Sequence, residues 1–273
     1  MRLIRVGLVS ALAILPALAQ TSVVSLSSND EKLAARQFGP IHDKTEHGDG
    51  TSTSTNWSGY AVTGTAFTFA KASWIVPAAV CSGVRQDQYA AFWVGIDGYN
   101  SSSVEQTGTD SDCVGTTPSY YAWYEFYPNP SFEITSVPVS PGNVMTASVA
   151  YGAGAFTVTI VNRTTGKTFT KTHAVPSAKR TSAEWIVEAP CCTAGGGILP
   201  LSDFGTGVFG FDYTNFANTN YAVSSTNTGP IGSFGAASIQ QITKTGSSSS
   251  PQTSTCSTLS SDGTSFSCSW AAN

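Results

Sequence analysis

The stretch "AFTVTIVNRTTGKTFTKTHAV" (residues 155–175) reads as two strands joined by a turn at "NRTTGK" (162–167). Thr, Val and Phe favour a pleated, half-buried surface, and the Asn and Gly between them supply turn chemistry. The same alternation of strand and break continues on both sides. "NWSGYAV" (56–62), "FTFAKASWIVP" (67–77), "QYAAFWVGIDG" (88–98), "SYYAWYEFYP" (119–128) and "NVMTASVAYG" (143–152) precede the hairpin. "SAEWIVEAP" (182–190), "GVFGFDYTNF" (207–216) and "ASIQQITKTG" (237–246) follow it. No window sustains a helical period, so the chain is all-β: one large antiparallel β-sandwich from Asn56 onward. The Ser/Thr-rich piece at 246–262 reads as a linker, and "TSFSCSW" (264–270) as a final strand.

Composition fits that class. Only 11% of the 273 residues are charged, against about 25% in an average soluble domain. Ser, Thr, Gly and Asn take their place. The net charge of −4 offers nothing to attract nucleic acid or an anionic membrane surface. Arg2 and Arg5 precede an apolar run from Val6 to Leu18, and "ALA" (17–19) is a small-x-small cleavage site. Residues 1–19 are therefore expected to be a signal peptide, too short to span a membrane, and the protein to be secreted. Residues 20–52 carry mixed charge and no strand pattern, which makes them an expected propeptide before a domain at 53–273. Six cysteines follow the signal: Cys81, Cys113, Cys191, Cys192, Cys256 and Cys268. Cys256 and Cys268 are expected to clip one hairpin, and the adjacent Cys191 and Cys192 to reach two different partners. Of three sequons, those at Asn100 and Asn162 sit in turns and are the better glycan candidates, ahead of Asn56. No oligomer signal is present, and a monomer is expected.

Elimination narrows the chemistry. Past residue 52 one histidine remains, His173, and no GxSxG elbow accompanies it. HExxH and CxxC motifs are absent, so no metal or other cofactor is called for. Carboxylates and amides are left. "ASWIVPA" (72–78) and "AEWIVEA" (183–189) share five of seven letters, but the second carries Glu184 and Glu188 where the first has Ser73 and Pro77. Packing alone does not call for those acids. Residues two apart share a strand face, so Glu184, Ile186 and Glu188 lie together. Tyr121, Trp123, Glu125 and Tyr127 do likewise, as do Gln106, Gly108 and Asp110 in "VEQTGTD". Acids amid aromatics on one face describe a groove for an extended polymer, peptide or sugar.

Five blocks resemble the glutamic peptidases of the eqolisin family in order and approximate spacing. They are "NWSGYAV" (56–62), "FWVGIDG" (92–98), "QTGTD" (106–110), "YAWYEFYP" (121–128) and "AEWIVE" (183–188). The resemblance implies a double antiparallel β-sandwich of concanavalin-like form, with two curved seven-stranded sheets and a substrate groove on the concave side. It further implies a secreted, pepstatin-insensitive acid endopeptidase acting on polypeptides and made with a propeptide. By motif, the family's Gln/Glu pair falls on Gln106 and Glu184. Substrate-binding positions fall on Trp57, Trp93, Asp110, Trp123, Glu125 and Tyr127, with Glu188 and Asp110 expected to orient or tune the pair. Tyr121 departs from the Asp often found before "AWYE", which bears on the expected carboxylate network around Glu184 and on the pH optimum. In this reading Glu184 takes a proton from water and returns it to the leaving amine, while Gln106 donates to the oxyanion. Two alternatives stand beside it: a lectin-like binding sandwich, and a glycosidase using Glu125 and Glu184 as its two carboxyls.

Overall fold

The computed structural model describes residues 30–191 and 197–272, so the expected signal peptide lies outside the described residues. Strands Ala155–Asn162 and Lys167–His173 pair antiparallel, with Phe156 opposite His173 and Asn162 opposite Lys167. Gly166 closes their turn at φ 73°, a left-handed conformation that costs glycine least, and its N–H donates to the Asn162 carbonyl at 2.8 Å. Period two sends Phe156, Val158, Ile160 and Phe169 inward. On the outer face Thr157 and Thr172 share a hydroxyl hydrogen bond at 2.9 Å.

Two large sheets, antiparallel in nearly all their pairings, form the body, and each is built on seven successive strands. The hairpin is one edge of the first, which continues through Val144–Gly152, Phe69–Ile75, Thr206–Phe209, Phe266–Ala271 and Thr253–Cys256. The second sheet runs Phe132–Ile134, Thr117–Tyr127, Val104–Val114, Ala91–Ile96, Ser182–Glu188, Trp57–Thr63 and Ile239–Lys244. Their facing surfaces share one core that includes Trp74, Trp185, Phe92, Phe209 and Phe266. Each such side chain withdrawn from water contributes about 1.5–3 kcal/mol. Among the described residues helix is limited to Phe211–Thr214 and a 3-10 turn at Ile231–Phe234.

This arrangement answers the contrast between the two seven-residue stretches. Trp74 and Trp185 both enter the shared core. On the other face of "ASWIVPA", Ser73 bonds to the hydroxyls of Thr214 and Thr219. The partner face of "AEWIVEA" turns away from the core, toward a second apolar cluster built on Trp57, Trp93, Trp123, Ile186 and Phe38.

Several expectations need correction. Cys256–Cys268 clips its hairpin as expected, and Cys81 pairs with Cys113. The expectation that Cys191 and Cys192 reach two different partners falls on Cys192, which lies outside the described residues. Asn162 is fully buried, and its amide donates to the Pro138 carbonyl and Asn143 Oδ1, both at 2.8 Å. A glycan would replace one of these N–H donors and has no room at a fully buried side chain, whereas Asn100 is exposed. The stretch at 246–262 is not a loose linker. Thr253–Cys256 is a sheet strand, and the buried Lys244 Nζ donates to the carbonyls of Thr245, Ser250 and Gln252. Sheet pairing also crosses the boundary expected at residue 52. Thr51–Ser54 runs parallel to Ile239–Lys244, Thr45–Glu46 pairs with it, and Glu31–Leu33 extends the Phe132–Ile134 edge.

Candidate active site

The strands of the second sheet carry the acids and aromatics in three rungs. Glu184, Gly95, Gln106 and Glu125 stand opposite one another in succession; so do Ile186, Trp93, Gly108 and Trp123; so do Glu188, Ala91, Asp110 and Tyr121. All twelve share one face by period two. Glycine at the middle rung is a steric requirement. A Cβ on Gly108 would come within 2.3 Å of the Phe92 carbonyl oxygen and 2.6 Å of Trp93 Cβ. Without it, Trp93 and Trp123 lie on a floor between two rows of polar groups. Trp57 closes one side, edge-on to Trp93 at 5.0 Å between ring centroids.

A length of the chain's own leading segment lies in this groove. Phe38 stacks on Trp123, ring centroids 3.7 Å apart and planes 11° off parallel. Its backbone N–H donates to Glu125 Oε2 at 2.9 Å, and its carbonyl accepts from Gln106 Nε2. The same Gln106 Nε2 reaches Glu125 Oε2 at 3.1 Å. Gln106 Oε1, fully buried, has no hydrogen-bond partner among the described residues. Two residues earlier, Arg36 places Nη2 2.5 Å from Asp112 Oδ2 and 2.5 Å from the Tyr121 hydroxyl, and 3.9 Å from Asp110. Its guanidinium lies 4.0 Å over the Tyr89 ring. Tyr121 donates in turn to Asp110, which also accepts from Trp123 Nε1 at 3.1 Å. Two residues after Phe38, the Pro40 carbonyl accepts from Asn56 Nδ2 at 3.1 Å. That Asn56 amide also faces Glu188 Oε1 at 3.2 Å, while Trp93 Nε1 donates to Glu188 Oε2 at 2.9 Å.

The structure thus gathers Gln106, Glu125, Asp110, Trp57, Trp93, Trp123 and Glu188 around one peptide, with the Tyr127 ring 3.7 Å from where a Cβ on Gly39 would stand. Glu184 is placed differently. It lies on the same face, but its oxygens make no hydrogen bond to the segment in the groove; the Ser182 hydroxyl and the Tyr99 N–H are the donors that favour its ionised form. The charges that act on it are those of Asp97 and Glu105. Asp97 is tied into the 179–181 loop by three backbone N–H groups. The Tyr121 departure consequently bears on Asp110, Asp112 and Arg36 rather than on the surroundings of Glu184. The sequence alone assigns neither Asn56 nor Asp112 a place in the site. Asp112 was within reach, since it shares a face with Asp110 two residues on; Asn56 was inside a quoted block without a role.

Burial dominates the electrostatics. It holds Glu125, Glu184 and Glu188 well above the usual carboxylate range. For Glu125 the nearby Glu188 adds to the rise, while the Phe38 N–H and the Gln106 amide oppose it. For Glu188, hydrogen bonds from Asn56 and Trp93 favour the ionised form. Burial pushes Asp110 up to about 7 against the pull of Arg36. The result is a buried, acid-lined site in which one amide touches a peptide carbonyl.

These features define a β-sandwich whose acidic groove holds a segment of its own chain by backbone and side-chain contacts. The chain matches the Peptidase A4 family over residues 55–270 and belongs to that family. Aspergillopepsin-2 of Aspergillus niger is 29% identical over 178 residues, 57% of this chain and 62% of the relative. Scytalidopepsin B of Scytalidium lignicola is 36% identical over 138 residues, 49% of this chain and 51% of the relative. The matched region thus spans between half and two thirds of these relatives' lengths. Scytalido-glutamic peptidase bound to a transition state analog inhibitor superimposes with a TM-score of 0.63 at 25% identity, covering 80% of this chain and 98% of that one. SCP-B, an eqolisin in complex with the tripeptide Ala-Ile-His, does so with a TM-score of 0.59 at 26% identity and the same coverage.

Proposed function

We propose that the protein is a secreted acid endopeptidase in which Gln106 and a groove glutamate hydrolyse peptide bonds without metal or covalent intermediate. One observation carries this reading: Gln106 Nε2 already donates to the carbonyl of a peptide lying in the groove, that of Phe38. A donor so placed stabilises the oxyanion as the carbonyl becomes tetrahedral, an effect of about 3–4 kcal/mol. Gln106 Oε1, being unpartnered, can accept from the attacking water. Family membership and structural neighbours bound to peptide-like inhibitors support the same class of reaction.

For the carboxylate that activates water, contacts favour Glu188 over Glu184. Glu188 shares the Asn56 amide with the Pro40 carbonyl, beyond the peptide bond that follows Phe38. Its charge also bears on Glu125, which holds the Phe38 N–H. Glu184 contacts none of these groups. In this reading ionised Glu188 takes a proton from water and passes it to the leaving nitrogen. Glu125 fixes the residue before the scissile bond, and Trp123 stacks on its side chain. Asp110 and Tyr121 organise the next stretch of peptide. Gln106 does not titrate, and once the groove is open to water the N–H donors of Asn56 and Trp93 favour the ionised form of Glu188.

The test is digestion of an unfolded protein across acid to neutral pH, with pepstatin present. Parent, Glu188→Gln and Glu184→Gln are compared. The expected result is acid-limited cleavage by the parent and by Glu184→Gln, and none by Glu188→Gln. Cleavage by Glu188→Gln at the parent rate, with loss in Glu184→Gln, would return the role to Glu184. No cleavage by the correctly folded parent would move the reading to a binding module.

A further inference from the structure

Along Thr117–Tyr127, Trp123 and Glu125 face the groove, whereas Tyr124 and Phe126 point between the two sheets. There they meet the inner side of the edge strand Lys167–His173, on which Phe169, Lys171 and His173 alternate. At this rim the sheets enclose a crevice of about 360 Å³, a size that admits a small molecule. Its walls are aromatic. Tyr124 stacks on Phe132 and Phe169, with ring centroids 5.4 and 5.5 Å apart, and the His173 ring lies 5.3 Å from that of Phe126. Polar donors converge at one end, and a carboxylate already sits on them. Glu31 Oε1 accepts from Lys171 Nζ at 2.7 Å, and Glu31 Oε2 accepts from the Tyr124 hydroxyl at 2.7 Å. An ammonium on one oxygen and a phenol on the other make a receptor for a carboxylate. Burial raises the pKa of Glu31, but these two donors outweigh it and hold the group below its ordinary value. The Glu31–Lys171 pair is itself partly exposed, and an ion pair in that setting contributes little stability. Glu31 also brings only a short stem to the crevice. A competing carboxylate with a larger apolar body gains the burial that Glu31 does not. At the mouth, the exposed His173 and Asn129 face each other with Nε2 and Nδ2 3.1 Å apart.

We propose that this crevice between the sheets binds a small aromatic carboxylic acid. The ligand carboxylate takes the place of Glu31 between Lys171 Nζ and the Tyr124 hydroxyl, and the Glu31 side chain turns out to solvent. The ligand ring lies among Phe126, Phe132 and His173, where aromatic pairs add to the area buried. His173, the one histidine beyond residue 52, thereby acquires a role that the groove does not give it. The crevice opens on the opposite face of the sheet from Gln106 and Glu188, so binding uses no group of the peptidase reading and does not depend on it.

The experiment titrates the full chain, its intact mass recorded, with hydrocinnamate and with the uncharged hydrocinnamamide. Calorimetry at about pH 6, where an ordinary carboxylate is ionised, gives both affinities. The acid is expected to bind about tenfold tighter than the amide or better, because the amide forfeits the charge-assisted bond to Lys171. Lys171→Met is expected to weaken the acid about tenfold and to leave the amide unchanged. Tyr124→Phe keeps the ring stacks, removes one donor and is expected to weaken the acid about threefold or more. Glu31→Ala removes the competitor and is expected to tighten the acid about fivefold or more. The comparison of acid with amide uses the parent chain alone, so it stands whether or not a variant folds. Equal affinity of the parent for acid and amide, or undiminished acid binding by folded Lys171→Met, overturns the carboxylate site. Unchanged acid affinity in Glu31→Ala overturns the displacement of Glu31. Absence of binding to both the parent and Glu31→Ala overturns the crevice as a ligand site.

Discussion

Glu105→Gln isolates one reason why this fold should belong to acid. Glu105 is fully buried near the start of the Val104–Val114 strand. Burial first, and the Asp97 carboxylate second, push its pKa up from 4.5 to about 9. A group whose folded pKa is raised gives stability that is complete below the unfolded value and lost as pH rises toward the folded one. From 4.5 to about pH 7 the unfolded chain releases this proton and the folded chain retains it. Each unit of that interval is worth about 1.4 kcal/mol, so Glu105 alone removes roughly 3 kcal/mol of stability between acid and neutral pH. Glutamine keeps the shape and does not titrate. Urea unfolding followed by tryptophan fluorescence, at about pH 4 and pH 7, gives the stability drop for parent and variant. The drop in Glu105→Gln is expected to be smaller by about 3 kcal/mol, or roughly 6–12 °C in Tm at neutral pH. Any cost of burying the amide appears at both pH values and cancels. An equal drop in parent and variant would show that Glu105 ionises freely in the folded protein, and the reasoning would fail.

Other outcomes follow from the same contacts. Gln106→Ala is expected to lower kcat about 10²–10³-fold with little change in pH profile, measured on a fluorogenic peptide. Trp123→Ala removes the surface on which Phe38 stacks and is expected to raise KM more than it lowers kcat, most for peptides with an aromatic residue before the scissile bond. Lys244→Met leaves the carbonyls of Thr245, Ser250 and Gln252 without their donor. It should cost about 1–3 kcal/mol by urea unfolding and speed hydrogen exchange across residues 245–252. Opening Cys81–Cys113, which spans 32 residues, should cost about 2–5 kcal/mol in the Cys81→Ser, Cys113→Ser double variant.

The sequence by itself determined the class of fold and most of the groove. Strand period two is a local property, fixed by backbone geometry. It put Glu184, Ile186 and Glu188 on one face and Trp185 on the other without knowledge of any partner strand, and the fold then buried Trp185 in the shared core. It likewise put Gln106, Gly108 and Asp110 on one face, and Trp123 with Glu125. Tertiary structure decided what the period leaves equal. Glu184 and Glu188 share a face and a motif, but they stand one at each outer rung, and only the folding-in of Asn56, Trp93 and the leading segment distinguishes them. Arg36 and Phe38 lie in a charged stretch with no strand pattern, since their partners, Asp112 and Trp123, stand 76 and 85 residues further along the chain. The buried Asn162 and the strand inside the Ser/Thr-rich tail were hidden for the same reason. Burial depends on what packs against a residue from elsewhere in the chain, and neither composition nor periodicity records it.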